Sequence, residues 1–474
     1  LFVTESKRAF YAFTDFLFGA RSLKMEAAAG RSSLPGRPQR CRFTTAVAAA
    51  FSSTLLFSVV QESGAEVNLY TTSARMLISE CPDLLGQSED VNELWHMISR
   101  TLLETHSTVY IDPVAALRNT LKVLETFLMS YPPSILHMCP GTLMRWFKKA
   151  GDLAIAAHDP LRSRILMQWG TTYRIMALSR WWIRITSNPE WTREKLPPEA
   201  LTFDAEYQGA YDLALQTMQN AYGVTPRPID NFVGSGKLLV SDPSQVLVLA
   251  VCLYKEGNPL TAIAAKNHRL YSAAQGYQYH LFSEVPEGGW DRLGDLPKEP
   301  HYWKIQQTLT ELEREDGPEW VLVIDCDAFF TNASTDVLDI AAAYNADGMF
   351  YVAEDPAGIN TGVLLFRRHD WTRAFLRRVL KTPFVQIWDQ SQYFWQLLRE
   401  FEVFEEGPVK ESAEIVRIHQ SQFNAYHSGT ADSWNAYGWK PGDFVVHYAG
   451  CPWDEDPCWQ KMELSAKVIE EQVG

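Results

Sequence analysis

The chain has 474 residues, with 43 basic and 57 acidic side chains, a net charge of −14, 46% hydrophobic residues and 12% aromatic ones. It is long and apolar enough for two or three packed domains, which excludes wholesale disorder, collagen and coiled coil. The acidic balance also argues against a nucleic-acid partner, because counterion release needs a dense Lys/Arg surface; a phosphate-bearing ligand must be held locally.

The first methionine is Met25, which sets residues 1–24 before the first available start. Residues 1–42 form a basic N-terminal segment containing Arg31, Arg37, Arg40 and Arg42. Residues 43–60, FTTAVAAAFSSTLLFSVV, carry no charge and are followed by Gln61 and Glu62, the polarity of a signal anchor. Eighteen helical residues reach about 27 Å, enough for a thin early-secretory bilayer. A cleaved leader or a buried helix would accommodate the same run. As an anchor it predicts a single-pass type II protein of the Golgi or ER membrane, with everything beyond residue 61 in the lumen.

Residues 61–235 read as a helical stem or auxiliary region. Apolar residues recur at Val91, Leu94, Ile98 and Leu102 and again at Leu117, Leu121, Leu124 and Leu128, before the aromatic stretch SRWWIRI. GVTPRPIDNFVGSGK (223–237) reads as a linker. From 244 to 474 the pattern changes. VLVLAVCLY (246–254), YQYHLF (277–282), WVLVIDCD (320–327), GMFYVAE (348–354), INTGVLLFRR (359–368) and FVVHYAG (444–450) read as strands. Helical stretches lie at 258–275, 301–315, 337–344, 371–381 and 388–399. Alternating units of this kind predict an α/β domain whose open, mostly parallel sheet is covered by helices, with ligands at the carboxyl ends of the strands. Asp325, Asp327 and the residues after Tyr254 would then line the rim of a site.

Two carboxylates one residue apart at the end of an apolar strand are costly to hold together without a cation. Asp325 and Asp327 therefore point to a divalent metal, and an oxygen-rich site favours Mg²⁺ or Mn²⁺ together with substrate phosphates. The same DCD could open a phosphatase in which Asp325 is the nucleophile. That pattern expects Thr or Val two residues after the second Asp, where this chain has Phe329.

A chain of motifs in order resembles the retaining nucleotide-sugar glycosyltransferases of family 34, which include fungal galactosyl- and mannosyltransferases and plant xylosyltransferases. The motifs are KNHRLYSAAQGY (266–277), HYWKI (301–305), VLVIDCDAFFTN (321–332), GINTGVLLFRRHDWTRAFL (358–376), WDQSQYFW (388–395), RIHQSQFNAY (417–426) and GDFVVHYAGC (442–451). The resemblance implies a GT-A-like, Rossmann-like catalytic domain over 244–474. It further implies Asp325, Asp327 and His447 as ligands of Mn²⁺ or Mg²⁺, with Asp325 also touching the donor. Asp389 and Gln390 would face the anomeric carbon, with Asn360 and Thr361 beside them. Lys266, Asn267 and Arg269 would receive the base and ribose, and Gln420, Phe423, Asn424 and Tyr426 would support the metal site.

Plant members carry a Lys after the Cys of the final motif where this chain has Pro452, and the loop between Arg378 and Trp388 is short, so the chain is more similar to the fungal branch. Among seven cysteines without CxxC or zinc-ligand spacing, Cys451 and Cys458 would close a loop beside His447, while Cys252 and Cys326 read as small apolar fillers. The implied reaction moves a hexose or pentose from a nucleoside-diphosphate sugar to a hydroxyl of an oligosaccharide, polysaccharide or glycoprotein glycan. The implied setting is a membrane-anchored Golgi homo- or hetero-oligomer. A catalytically inactive binding or scaffold protein of the same fold, and a metal phosphohydrolase using Asp325, are the competing readings.

Overall fold

The computed structural model describes residues 112–130, 140–186 and 239–473, the last with breaks at 241, 255–256, 295, 297, 383–387, 435 and 450–455, together with 209, 212, 216 and 227–229. The basic segment, the uncharged run 43–60, the spacing from Val91 to Leu102 and most of the 223–237 stretch lie outside the described residues. So does the expected Cys451–Cys458 loop, apart from the helical backbone at Cys458.

Three helices come first: α1 (Pro113–Ser130), α2 (Pro140–Ala156) and α3 (Pro160–Thr186). Each opens on a proline, whose fixed φ and missing N–H suit the first helical position. The Asp112 carboxylate caps α1 by accepting from Val114 and Ala115 N–H at 3.1 and 3.0 Å. Leu117, Leu121, Leu124 and Leu128 are all buried, as their spacing predicts.

The α/β domain follows as β1 (Val246–Val251), α4 (Pro259–Gln275), β2 (Gln278–Phe282), α5 (Pro300–Glu313), β3 (Trp320–Ile324), β4 (Ala328–Phe330), α6 (Val337–Asn345), β5 (Phe350–Glu354), β6 (Asn360–Arg367), α7 (Asp370–Leu380), α8 (Trp388–Glu400) and β7 (Ile415–His419). It ends with the short helix α9 (Gln420–Phe423), β8 (Ala425–Tyr426), α10 (Ser428–Trp434), β9 (Val445–His447) and α11 (Asp456–Val473). The main sheet has the order β2-β1-β3-β6-β5-β7, and a small sheet the order β4-β9-β8. β1 pairs parallel with β2 and β3, and β5 pairs parallel with β7. β6 runs antiparallel to both its neighbours. Its five-residue connection from β5 is too short for a helical crossover, so the chain must turn back on itself. The expected mostly parallel sheet is present, with this one reversal in the middle.

Alternation along β1 and β3 divides the core. Leu247, Leu249, Val321 and Val323 belong to one buried cluster with α5, α7, α8 and the N-terminal helices, while Val246, Val248, Leu322 and Ile324 belong to the other with α4, α6 and the small sheet. Helices α1–α3 therefore share a continuous core with the sheet. A buried charge cluster reinforces the junction: Arg164 of α3 pairs with Glu354 at the end of β5, which also receives Arg417 of β7 at 3.0 Å and the Gln168 amide. Thr172 donates to the Ala357 carbonyl at 3.1 Å, and Trp169 packs on Phe394 of α8 with ring centroids 4.9 Å apart. These contacts brace the 355–359 connection that leads into the site.

Candidate active site

The carboxyl end of β3 carries Asp325, Cys326 and Asp327, three residues that link the main sheet to β4 of the small sheet. Backbone bonds hold both carboxylate residues: Asp325 N–H donates to the Gly362 carbonyl at 2.8 Å, and Tyr448 N–H donates to the Asp327 carbonyl at 2.9 Å. His447, the last residue of β9, lies opposite Ala328 and Tyr426 in the small sheet. Its Nε2 is 3.4 Å from Asp327 Oδ1, and one ligand atom from each of Asp325, Asp327 and His447 falls within 4.8 Å of the others. Six ligands at about 2.1 Å from a cation would be about 3 Å apart when adjacent, close to the Asp327–His447 separation, and the three donors would draw in from the 4.8 Å limit to hold a small divalent ion.

The imidazole is aimed from behind. His447 Nδ1 lies 3.1 Å from Asn360 Oδ1, which also accepts from Gly362 N–H at 2.8 Å and from the Asn424 amide. With Nδ1 donating to Asn360, Nε2 is the nitrogen left for a metal. The Asn360 amide in turn donates to Tyr426 Oη, which donates to Asp355 Oδ2 at 2.6 Å. The order Asp355, Tyr426, Asn360, His447 is thus one buried hydrogen-bonded chain. Gly362 completes it by its missing side chain: a Cβ there would lie 2.2 Å from His447 Cε1.

Lys304 of α5 is the residue that the expected site omitted. It appeared only as part of the HYWKI motif, and a lone lysine beside buried Trp303 and Ile305 is the one sequence signal of its role. Its Nζ is 2.8 Å from Asp325 Oδ1 and 2.7 Å from Asp389 Oδ2. Three carboxylates against one ammonium leave two negative charges, which a divalent cation would neutralise. The charges couple strongly. Burial would lower Lys304, but the Asp325 and Asp389 carboxylates outweigh it and raise the ammonium above its ordinary value. Burial raises Asp325, helped by the Asp389 and Asp327 charges against the pull of Lys304. For Asp327 the burial penalty is outweighed by His447, which lowers it; the same pair raises His447 in spite of burial. A cation binding here would compete with a proton for the imidazole. Tyr254, just after β1, is raised by burial and further by the Asp327 and Asp325 charges.

The expected sugar-facing residues divide into two groups. Asp389 and Gln390, both buried, stand in the first turn of α8; Asp389 is joined to the cluster through Lys304, and Gln390 Nε2 has no hydrogen-bond partner among the described residues. Thr361 is buried, and its carbonyl accepts from Lys304 at 3.3 Å. Asn360 instead has both ends of its amide engaged behind His447.

Three expected base and ribose contacts are occupied elsewhere. Asn267 exchanges hydrogen bonds with the Phe330 backbone at 2.9 and 3.0 Å and donates to the Ala466 carbonyl at 3.2 Å, fastening α4 to β4 and α11. Lys266 is ion-paired with Glu470, and Arg269 lies over the Tyr279 ring. The structure does not gather these three around Asp325, because the face of α4 that bears Asn267 turns toward α11. Asn424 and Tyr426, expected as supports, do contact Asn360, whereas Gln420 accepts from Tyr437 N–H at 3.1 Å and Phe423 fills the core. Cys252 and Cys326, read as separate apolar fillers, are joined in a disulfide.

The sequence pattern of the galactosyl transferase GMA12/MNN10 family matches residues 340–459. Among relatives, a probable alpha-1,2-galactosyltransferase gmh2 of Schizosaccharomyces pombe is 24% identical over 247 residues, covering 44% of this chain and 66% of its own length. An uncharacterized alpha-1,2-galactosyltransferase of the same yeast, C1289.13c, is 23% identical over 251 residues, covering 46% of this chain and 63% of its own. The chain thus spans just under two thirds of the length of these relatives. A solved glycosyltransferase involved in glycosylation of the major capsid of PBCV-1 aligns over 46% of this chain and 98% of its own, with 18% identity and a TM-score of 0.33. The galactosyltransferase LgtC in complex with donor and acceptor sugar analogs aligns over 48% and 95%, with 15% identity and a TM-score of 0.30. Residues 340–459 are thus similar to the galactosyl transferase GMA12/MNN10 family, and the yeast relatives that the chain resembles carry the name of alpha-1,2-galactosyltransferases.

Proposed function

We propose that the chain is a metal-dependent retaining glycosyltransferase with a GT-A-like catalytic domain, moving a hexose or pentose from a nucleoside-diphosphate sugar to a glycan hydroxyl. The observation that carries this reading is the convergence of Asp325 and Asp327, on the link between β3 and β4, with His447 at the end of β9, so that one ligand atom from each lies within 4.8 Å of the others. Mn²⁺ or Mg²⁺ bound there would supply positive charge to the diphosphate as it leaves. The chain's own contribution is electrostatic and geometric. Lys304 draws Asp325 and Asp389 together, and Asn360 fixes the imidazole of His447. The Asp389 carboxylate and Gln390 Nε2, which has no partner among the described residues, are the groups on α8 that a donor sugar would meet, and such fixed dipoles act strongly in a dry site. The names of the yeast relatives make galactose the first sugar to test.

A luminal Golgi or ER location fits the Cys252–Cys326 disulfide, since such bonds persist in oxidising compartments. Among the described residues no helix is long and apolar enough to cross a membrane, so the anchor proposal rests on residues 43–60, and assembly into oligomers stands as part of the same proposal. The experiment is calorimetric titration of the full chain with UDP- and GDP-sugars, with Mn²⁺ and with EDTA, followed by NMR of the product anomer. Mn²⁺-dependent binding of one donor and a product of unchanged anomeric configuration are expected. Binding without turnover toward any glycan acceptor would favour the inactive scaffold, and release of inorganic phosphate from simple esters the phosphohydrolase.

A further inference from the structure

The residue between the two carboxylates is itself covalently fixed. Cys326 is bonded to Cys252, 74 residues earlier, with the two Cα atoms 5.7 Å apart. β1 and β3 pair in parallel up to Ala250 and Ile324, so Cys252 and Cys326 stand two residues past the last paired position on each strand. The bond therefore crosses between neighbouring strands where the ladder ends and the crevice of the site begins. Both cysteines are buried, at 1% and 2% exposure, so the staple is a core feature rather than a surface link.

Its surroundings tie it to the cation site on both sides. On the β3 side, Asp325 and Asp327 flank Cys326 directly, and mutual repulsion of their carboxylates favours spreading of this three-residue link when no cation is present. On the β1 side, the Cys252 N–H donates to the Phe282 carbonyl of β2 at 2.7 Å, which roots this end of the staple in the sheet. Tyr254 N–H donates to the Cys252 carbonyl at 2.9 Å, so the backbone turns directly after the staple.

We propose that the Cys252–Cys326 disulfide is a positioning pair for the metal site, holding Asp325 and Asp327 at the spacing a divalent cation needs. The assignment rests on the metal-site reading above. A ligand set fixed before the cation arrives loses less freedom on binding, and loss of groups that orient ligands commonly lowers metal affinity 10- to 100-fold.

The test is Mn²⁺ affinity of the full chain, read by electron paramagnetic resonance of free and bound Mn²⁺ with no sugar nucleotide present, beside circular dichroism and a melting curve. The Cys252→Ala/Cys326→Ala double variant is compared with the parent. As a second form, the parent is reduced with a dithiol, which closes to its own cyclic disulfide as two electrons and two protons convert the protein bond to two thiols. The expected result is a folded protein whose Mn²⁺ affinity falls at least tenfold in both forms. Equal affinity in folded parent, variant and reduced protein would overturn the assignment, as would peptide mapping that finds Cys252 and Cys326 as free thiols in the untreated protein. Loss of the folded signal in both altered forms would also overturn it, because the bond would then be a general staple. Absence of Mn²⁺ binding in the oxidised parent would overturn the metal-site reading itself, and this proposal with it.

Discussion

Replacing Gly362 with alanine tests the idea that His447 is a metal ligand held in one orientation. The added Cβ would meet His447 Cε1 at 2.2 Å, Nδ1 at 2.5 Å and Nε2 at 2.9 Å, where ordinary contact begins at 3.4 Å, so the ring must retreat by more than an ångström. Ligand distances tolerate only about 0.2 Å. A retreat of that size removes Nε2 from the cation and breaks the Nδ1 contact to Asn360. Overpacking should cost about 1–3 kcal/mol of stability, leaving the fold intact, while Mn²⁺ affinity falls about 10- to 100-fold, equivalent to about 1.4–2.7 kcal/mol. Isothermal titration of Mn²⁺ into parent and Gly362→Ala, each shown folded by circular dichroism, reads this directly. Affinities within twofold of each other would refute the placement of His447 in the cation site.

Lys304→Met leaves Asp325 and Asp389 buried without their counter-ion, so in EDTA it should lose about 3–5 kcal/mol, and Mn²⁺ should raise its melting temperature more than it raises the parent's. An equal metal-induced shift in the two proteins would show that Lys304 does not balance this site. Asp355 is pushed up to about 6 by burial, against 3.8 when unperturbed, so the native state holds its proton more tightly than the unfolded chain does. That contribution is fully present below pH 3.8 and is lost as pH rises through 6, on the order of 3 kcal/mol. Asp355→Asn, which stays neutral, should therefore gain stability relative to the parent between pH 4.5 and 7.5 in EDTA; a constant difference in melting temperature would contradict the assignment. Arg164→Met removes one of two arginines from buried Glu354 and should cost about 3 kcal/mol while melting remains a single transition. Two separate transitions would mean that α1–α3 form an independent unit.

Much of the α/β domain could be read along the chain because its determinants are local. β1 and β3 are uninterrupted apolar runs since both faces of the sheet are covered, and α4 announces its ends with Asn258 as cap, Pro259 in the first turn and Gly276 at φ 78°. Asp325 and Asp327 stand out for a related reason, as charged side chains at the end of an apolar strand, whereas His447 is marked only by the resemblance of GDFVVHYAGC to a family motif. The rest depends on partners far away in sequence. Nothing beside Arg164 says that its counter-ion is Glu354, 190 residues on, or that the helical region shares the sheet's core. Lys304 looks like any lysine on a helix until the fold brings Asp325 and Asp389 within 3 Å of it. Lys266, Asn267 and Arg269 lie on the helix the motif suggested, but the packing of α11 on α4 engages Lys266 and Asn267, and Arg269 lies over Tyr279 of β2. Cys252 and Cys326 read as two small apolar residues in two strands; only the parallel pairing of β1 with β3 brings them together, because register, unlike burial, is a property of two segments at once.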